Sequence, residues 1–171
     1  HRQPRAVPPH PRDMSDRQRT LEDRVELSGT GVHCGEPSTL RFLPAEADTG
    51  LRFRRTDLDG APEIPATIDH VVDTRLGTTV GADGAEVMTV EHVLAALAAH
   101  YVDNAVIEID GPEPPILDGS FRGFFDAIAD VGVAELEVPA RVVTVRDVIH
   151  VKPSSGVSYV CTPHEGYRVS A

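Results

Sequence analysis

One amphipathic helical pattern, between residues 89 and 101, constrains the fold of this chain more than any other sequence feature. Apolar side chains recur there at the spacing of a single helix face. They are Val90, Val93, Leu94, Leu97 and Tyr101. Thr89 precedes them and is predicted to cap the helix. Alanine fills most of the remaining positions, so another helix or a ligand could approach this backbone closely.

The segment before this helix alternates between polar and apolar residues, as half-buried strands do. Glycines between residues 29 and 35 separate the first pair of strand patterns, and a turn at residues 44–50 separates the second pair. These breaks predict hairpins of an antiparallel sheet. A further extended piece follows at residues 64–72, where Pro65 favours an edge position because proline cannot donate a ladder hydrogen bond.

The segment after the helix repeats the order of strand and helix. Residues 104–110 alternate in polarity and predict a strand. Residues 120–132 carry aromatic and aliphatic side chains at helical spacing, which predicts a second helix. Ser120 is placed to cap that helix and Gly132 to end it.

This order of elements predicts an α+β fold, namely a two-layer sandwich in which an antiparallel sheet carries two helices on one face. The predicted domains are a disordered leader at 1–18, a sandwich domain at 19–136, and the beginning of a second, similar domain at 137–171. The leader prediction rests on five Arg and four Pro within the first twenty residues. Met14 is a candidate for the true start of the protein.

Composition and charge exclude several classes of protein. The formal net charge of −11 disfavours nucleic acid as a partner. The longest purely apolar run, Val93 to Ala99, is far too short to predict a membrane span. Cys34 and Cys161 are the two cysteines and lack CxxC spacing, so we expect reduced thiols rather than a disulfide or a cysteine zinc site. A cytoplasmic location is the prediction.

The adjacent pair Glu91-His92 is the sharpest candidate for chemistry. It falls in the first turn of the predicted helix, where the partial positive charge of the helix N-terminus favours a carboxylate and disfavours an imidazolium. Those are the charge states of a general base and of a zinc ligand. The ordinary alternative is a glutamate that complements the helix dipole beside a histidine packed on the domain surface.

Other runs of the sequence match known site motifs weakly or not at all. An inverted metallopeptidase motif would need histidine at position 88, where this chain has Met88. The glycine-rich run 29–35 lacks the Lys and Ser/Thr of a phosphate-binding loop. It predicts instead a tight turn that presents His33 at a cleft, with an ordinary turn histidine as the alternative. The run 118–120 is typical of a turn and helix cap.

Taken together, these motifs stand in an order that resembles the UDP-3-O-acyl-N-acetylglucosamine deacetylase family of lipid A biosynthesis, from Arg19 to Glu137. The matching segments are Arg19–Leu21, Gly29–Gly35, Thr49–Gly50, Arg54–Asp57, Ile64–Ala66, Asp73–Thr74, Thr89–Ala98, Asp103–Asn104 and Pro115–Ser120. Phe121 and Arg122 depart from the small residues that the family usually has after Ser120.

By this resemblance the chain would be part of a zinc-dependent amidase that removes acetate from UDP-3-O-acyl-N-acetylglucosamine. His92 would bind Zn²⁺ and Glu91 would be the base that activates a zinc-bound water. The family's second domain supplies the other ligands as a His-x-x-x-Asp pair, and no histidine of this chain is followed by Asp four residues later. The resemblance therefore implies an N-terminal fragment, inactive alone, of a Gram-negative enzyme that is monomeric at full length.

The rival class is a non-catalytic module that keeps the fold and binds a ligand or a protein partner, with Glu91 and His92 as remnants of an enzyme. Stoichiometric zinc and deacetylation would favour the enzyme, whereas partner binding without zinc would favour the module.

Overall fold

Two helices and four sheets make up the part of the chain that the computed structural model describes, namely residues 16–153, 156–164, 166 and 168–170. The strands are β1 (Arg17–Leu21), β2 (Val25–Thr30), β3 (Pro37–Pro44), β4 (Leu51–Arg55), β5 (Glu63–Pro65), β6 (Val71–Asp73), β7 (Thr79–Ala82), β8 (Ala85–Val87), β9 (Ala105–Ile109), β10 (Val133–Pro139), β11 (Ile149–Val151) and β12 (Tyr159–Cys161). The helices are α1 (Glu91–Ala99) and α2 (Arg122–Val131), and a 3₁₀ turn spans Ile68–His70. The predicted α+β class is confirmed.

β9 lies at the centre of the five-stranded sheet, whose order is β2-β3-β9-β4-β5. It is antiparallel to β3 but parallel to β4, so the sheet is mixed and the predicted hairpin across residues 44–50 is wrong. β9 suits the centre because Ala105, Ile107 and Ile109 are all fully buried, and a covered central strand removes most apolar surface from water. The predicted edge position of Pro65 is confirmed, since β5 is the last strand of the sheet.

One face of this sheet and both helices share a single apolar core. The ring of Phe42 on β3 meets that of Phe124 on α2 edge to face, with centroids 6.3 Å apart. Val93 and Leu97, from the predicted helical stripe, are fully buried in the same core. α1 and α2 also contact each other. The helices therefore form the second layer over the sheet, as the sequence pattern predicts.

The starts of the two helices differ from the predicted caps. Thr89 does not cap α1, because it lies in the left-handed region with φ of 54° and its hydroxyl bonds elsewhere. Val90 flanks α1 instead, without a side-chain cap. At α2 the hydroxyl of Ser120 accepts a hydrogen bond from the N–H of Arg122 (3.1 Å), although Phe121 is the flanking residue. Gly132 ends α2 with φ of 88°, as predicted.

Strands β1 and β10 each extend across a boundary that the sequence predicts for the sandwich domain. Arg17, assigned to the leader, already belongs to β1, while Met14 and residues 1–15 lie outside the described residues. β10 pairs with β1 and continues to Pro139, so the boundary predicted after residue 136 falls inside a strand. The two strands cross these boundaries together because they are hydrogen-bonded to each other, with Arg17 opposite Pro139.

Beyond β10 the chain leaves the core. β11 and β12 form an antiparallel hairpin in which every side chain is exposed. Neither helix in the described ranges is long and apolar enough to cross a membrane.

Candidate functional site

An open cleft of about 490 Å³ lies where the turn between β2 and β3, the segment after β6 and the residues before α1 meet. Its lining combines small, apolar and charged side chains. They are His33, Asp73, Arg75, Leu76, Gly77, Thr79, Met88 and Thr89. Three stretches that are distant in sequence thus converge on one concave surface, which is the usual form of a ligand site.

Glu91, the first residue of α1, reaches the segment that forms one side of this cleft. Its Oε2 accepts a hydrogen bond from the backbone N–H of Thr78 at 3.0 Å. The neighbouring Val90 N–H donates in return to the Thr78 carbonyl at 3.2 Å. A Cβ atom built on Gly77 would lie 3.1 Å from Oε1 of Glu91, so the carboxylate occupies space that a larger residue at position 77 would contest. Glu91 is therefore bonded to Thr78, whose neighbours in sequence, Gly77 and Thr79, both line the cleft.

His92 follows on the same helical turn and is half-buried. Its Nδ1 atom is buried and has no hydrogen-bond partner within the described part of the chain. Buried polar atoms are normally paired, so an unpaired ring nitrogen is consistent with a ligand that completes the site. One imidazole is not a metal site, and the described residues contain no group of three or more His, Cys, Asp or Glu side chains that could hold a metal ion. The residues present fit one ligand position for zinc, not a whole coordination sphere.

His33 is exposed and lines the cleft at the turn between β2 and β3. Its backbone N–H and that of Cys34 both donate to Oε2 of Glu113, each at 2.9 Å. The structure therefore brings His33 and Thr89 to one cleft, with Glu91 anchored to the segment beside them. No described hydrogen bond links the His33 ring to Glu91 or His92.

Glu113 is a residue of this region that no sequence motif singled out. Its side chain is 0% exposed. Burial alone would raise its pKa, but hydrogen bonds from the backbone of Cys34 and His33 and from the hydroxyl of Thr89 outweigh burial and hold the pKa of Glu113 below its ordinary value. A single glutamate between prolines carries no sequence signal of these long-range bonds.

Asp73 and Arg75 form the charged rim of the cleft. Nε and Nη2 of Arg75 donate to the carboxylate of Asp73 at 2.8 to 3.0 Å. These bonds lower the pKa of Asp73 to about 2. Asp73 and Arg75 neutralise each other, and the Arg75 side chain is 87% exposed. Because an exposed ion pair contributes little free energy, the Arg75 guanidinium can leave Asp73 for another partner at little cost in stability.

The fold and the cleft define an α+β domain that presents a carboxylate and an imidazole together at the start of one helix. This chain belongs to the LpxC family, UDP-3-O-acyl N-acetylglycosamine deacetylase, whose family model matches residues 18–171. The resemblance predicted from the sequence motifs is thereby confirmed.

Curated relatives cover most of this chain. A bifunctional enzyme LpxC/FabZ of Chlorobaculum tepidum is 45% identical over 90% of the chain and 33% of its own length. UDP-3-O-acyl-N-acetylglucosamine deacetylases of Bdellovibrio bacteriovorus and Myxococcus xanthus are 40% and 43% identical, over 90% and 93% of the chain. The chain spans 50% of the length of each of these two deacetylases.

Proposed function

We propose that this chain is the part of a UDP-3-O-acyl-N-acetylglucosamine deacetylase that supplies the general base, Glu91, and one zinc ligand, His92. The observation that carries the proposal is the adjacent pair at the start of α1, beside the cleft, with the Glu91 carboxylate anchored and a His92 ring nitrogen unpaired. Family membership supports the substrate, UDP-3-O-acyl-N-acetylglucosamine, and a place in lipid A biosynthesis.

Glu91 would take a proton from the water that attacks the acetamide carbon. A carboxylate fixed by one hydrogen bond at Oε2 leaves its other oxygen, Oε1, as the acceptor for that proton. The bond from Thr78 also restricts rotation of the side chain, which lowers the entropy lost when water and base are aligned.

His92 would contribute an imidazole nitrogen to the zinc ion. Zinc, when bound, supplies a Lewis acid for amide hydrolysis. Because the described residues offer no second and third ligand near His92, we propose that these come from sequence beyond this chain and that the 171 residues alone have little or no activity. The cytoplasmic location, the Gram-negative source and the monomeric state stay predictions.

The test uses the complete gene product that contains this chain, with acetate release from UDP-3-O-acyl-N-acetylglucosamine as the assay. Glu91→Gln keeps the shape of the side chain but not its basicity, and should lower kcat by roughly 10²- to 10⁴-fold with the zinc content unchanged. Wild-type turnover in Glu91→Gln would exclude Glu91 as the base.

His92→Ala should instead lower the zinc content of the purified protein. Glu91→Gln serves as the control, because it alters the adjacent residue without removing a proposed ligand. Full zinc occupancy in His92→Ala would refute the ligand assignment. Stoichiometric binding of a protein or ligand, without zinc or turnover in the wild type, would favour the non-catalytic module.

A further inference from the structure

Glu113 is a buried carboxylate that joins three separate segments of the chain. Its Oε2 accepts the backbone N–H groups of His33 and Cys34 at 2.9 Å each, and its Oε1 accepts the hydroxyl of Thr89 at 2.6 Å. These donors are neutral, so dipoles rather than a cation stabilise the buried charge. An ionised carboxylate suits this position because it accepts hydrogen bonds at both oxygens.

The segment that Glu113 holds leads directly into α1. Thr89 has a φ of 54°, and a left-handed backbone is a genuine outlier for a β-branched residue. Such an outlier persists only where the surrounding bonds over-determine it. At Thr89 itself the bond is the hydroxyl contact to Glu113. The residues on either side are also fixed, because the Val90 N–H donates to the Thr78 carbonyl and the Met88 N–H donates to the Pro112 carbonyl.

Gly31 leaves room for the carboxylate of Glu113. A Cβ atom built on Gly31 would lie 2.5 Å from Oε2 of Glu113, closer than atoms can approach, so the turn that carries His33 accommodates Glu113 through a glycine. His33 and Thr89, which both line the cleft, are thus fixed relative to each other by one side chain. Glu113 thereby links the two segments that carry these cleft-lining residues.

We propose that Glu113 is a positioning residue for Glu91. By holding Thr89 in its left-handed conformation, it sets the direction in which the first turn of α1 presents the Glu91 carboxylate to the cleft. Glu113 itself is fully buried, so the role proposed for it is to position Glu91 and not to touch the substrate. The catalytic consequence rests on the proposed function, whereas the geometric consequence concerns only residues of this chain.

The geometric test follows the backbone amide of Thr78, which donates to Glu91 and therefore reports where that carboxylate lies. Thr89→Val keeps the shape and the branching of the side chain but removes its hydroxyl. In this variant of the chain, the Thr78 amide should exchange with solvent at least roughly tenfold faster. Thr89→Ser keeps the hydroxyl, so the Thr78 amide of that variant should exchange as fast as in the wild type.

An internal control comes from the Gly50 amide, which donates to the buried side chain of Asn104 at 3.0 Å in another part of the domain. Its exchange should be unchanged in both Thr89 variants. Equal acceleration at Gly50 would indicate general destabilisation and would overturn the positioning role. Wild-type exchange of Thr78 in Thr89→Val would overturn it as well.

Variants of Glu113 separate geometry from charge. In Glu113→Gln the amide oxygen can still accept the two backbone N–H groups and the amide nitrogen can donate to the hydroxyl of Thr89, so Thr78 exchange should stay within about threefold of the wild type. Glu113→Ala removes every side-chain bond, although the Ser38 hydroxyl can still donate to the carbonyl of residue 113, and it should accelerate Thr78 exchange at least as much as Thr89→Val. If Glu113→Ala does not fold, the Thr89 pair decides alone.

The catalytic consequence is tested by kinetics on the complete gene product. Thr89→Val should lower kcat by roughly 10- to 100-fold while KM changes by less than about threefold, because the base is misplaced but substrate contacts remain. Thr89→Ser should restore kcat. Unchanged kcat despite faster Thr78 exchange would refute the catalytic consequence. No deacetylation by the wild type would refute the proposed function instead, and amide exchange would still decide whether Glu113 positions Glu91.

Discussion

β9 and β11 are both short apolar strands, yet they lie in opposite environments. Ile107 in β9 is 0% exposed, whereas Ile149 in β11 is 52% exposed. β9 is covered by the helical layer and flanked by strands on both sides, while β11 pairs only with β12 in the described part of the chain. An apolar alternating sequence therefore predicts a strand, but the elements packed on that strand decide how much it stabilises the fold.

The same substitution made in each of the two strands tests this contrast most strongly. Ile107→Ala should lower the free energy of unfolding by about 2–5 kcal/mol, because it removes buried methylene groups and leaves a cavity in the core. Ile149→Ala should change it by less than about 0.5 kcal/mol. Urea denaturation of the chain measures both values. Equal losses would mean that the β11–β12 hairpin is packed against the domain after all.

A second, smaller effect concerns buried polar groups. Asn104 is 1% exposed; its Nδ2 donates to Gln18 at 2.9 Å and its Oδ1 accepts the N–H of Gly50 at 3.0 Å. Asn104→Ala should cost about 1–3 kcal/mol of unfolding free energy, since both partners lose a buried hydrogen bond.

The matched substitution for Asn104→Ala on the exposed side is Thr162→Ala. Thr162 follows β12 and is exposed, so its loss should lie within about 0.5 kcal/mol of zero. A loss at position 162 as large as that at position 104 would contradict the contrast between the two regions.

The smallest expected effect is a pH dependence at the junction of α1 and α2. Burial lowers the pKa of His100 below its usual 6.5, although a bond to the Phe125 carbonyl and the charge of Asp126 oppose this. In the unfolded chain His100 takes up a proton near pH 6.5, but the folded chain resists it. The contribution of neutral His100 to the free energy of unfolding is therefore fully present above about pH 6.5 and is lost as the pH falls below that value.

Unfolding free energies at pH 7.5 and pH 5.5 check this sign. His100→Gln should reduce the loss of stability between the two pH values relative to the wild type. His150→Gln, on exposed β11, should leave the wild-type difference unchanged. An unaltered difference in His100→Gln would show that other groups cause the pH dependence.

Local sequence patterns predicted the structural features that depend only on residues close together in the chain. The stripe around Val93 and Leu97 predicted the buried face of α1, and Gly132 predicted the end of α2, because periodicity and left-handed glycine act within a few residues. The insertion of β9 between β3 and β4 was not predictable in this way, since it depends on a pairing between residues that lie far apart in sequence.

The same limit applies to the candidate site. Glu91, His92 and His33 were selected from local motifs. In the structure His33 lines the cleft and the Glu91 carboxylate bonds to Thr78 beside it, while their chemical roles stay predictions. Glu113 was missed because its three donors lie 24 to 80 residues away. Thr89 was assigned a capping role from its position alone, which ignored a competing acceptor elsewhere in the fold.

The position of β5 at the edge of the five-stranded sheet bears on self-association. Exposed strand edges invite pairing with a second molecule, and proteins prevent this with short edge strands and proline. β5 is three residues long and ends at Pro65, which offers no N–H to an incoming strand. This edge of the sheet therefore resists growth into intermolecular sheets, and replacement of Pro65 by valine would give a neighbouring chain one more donor to bind.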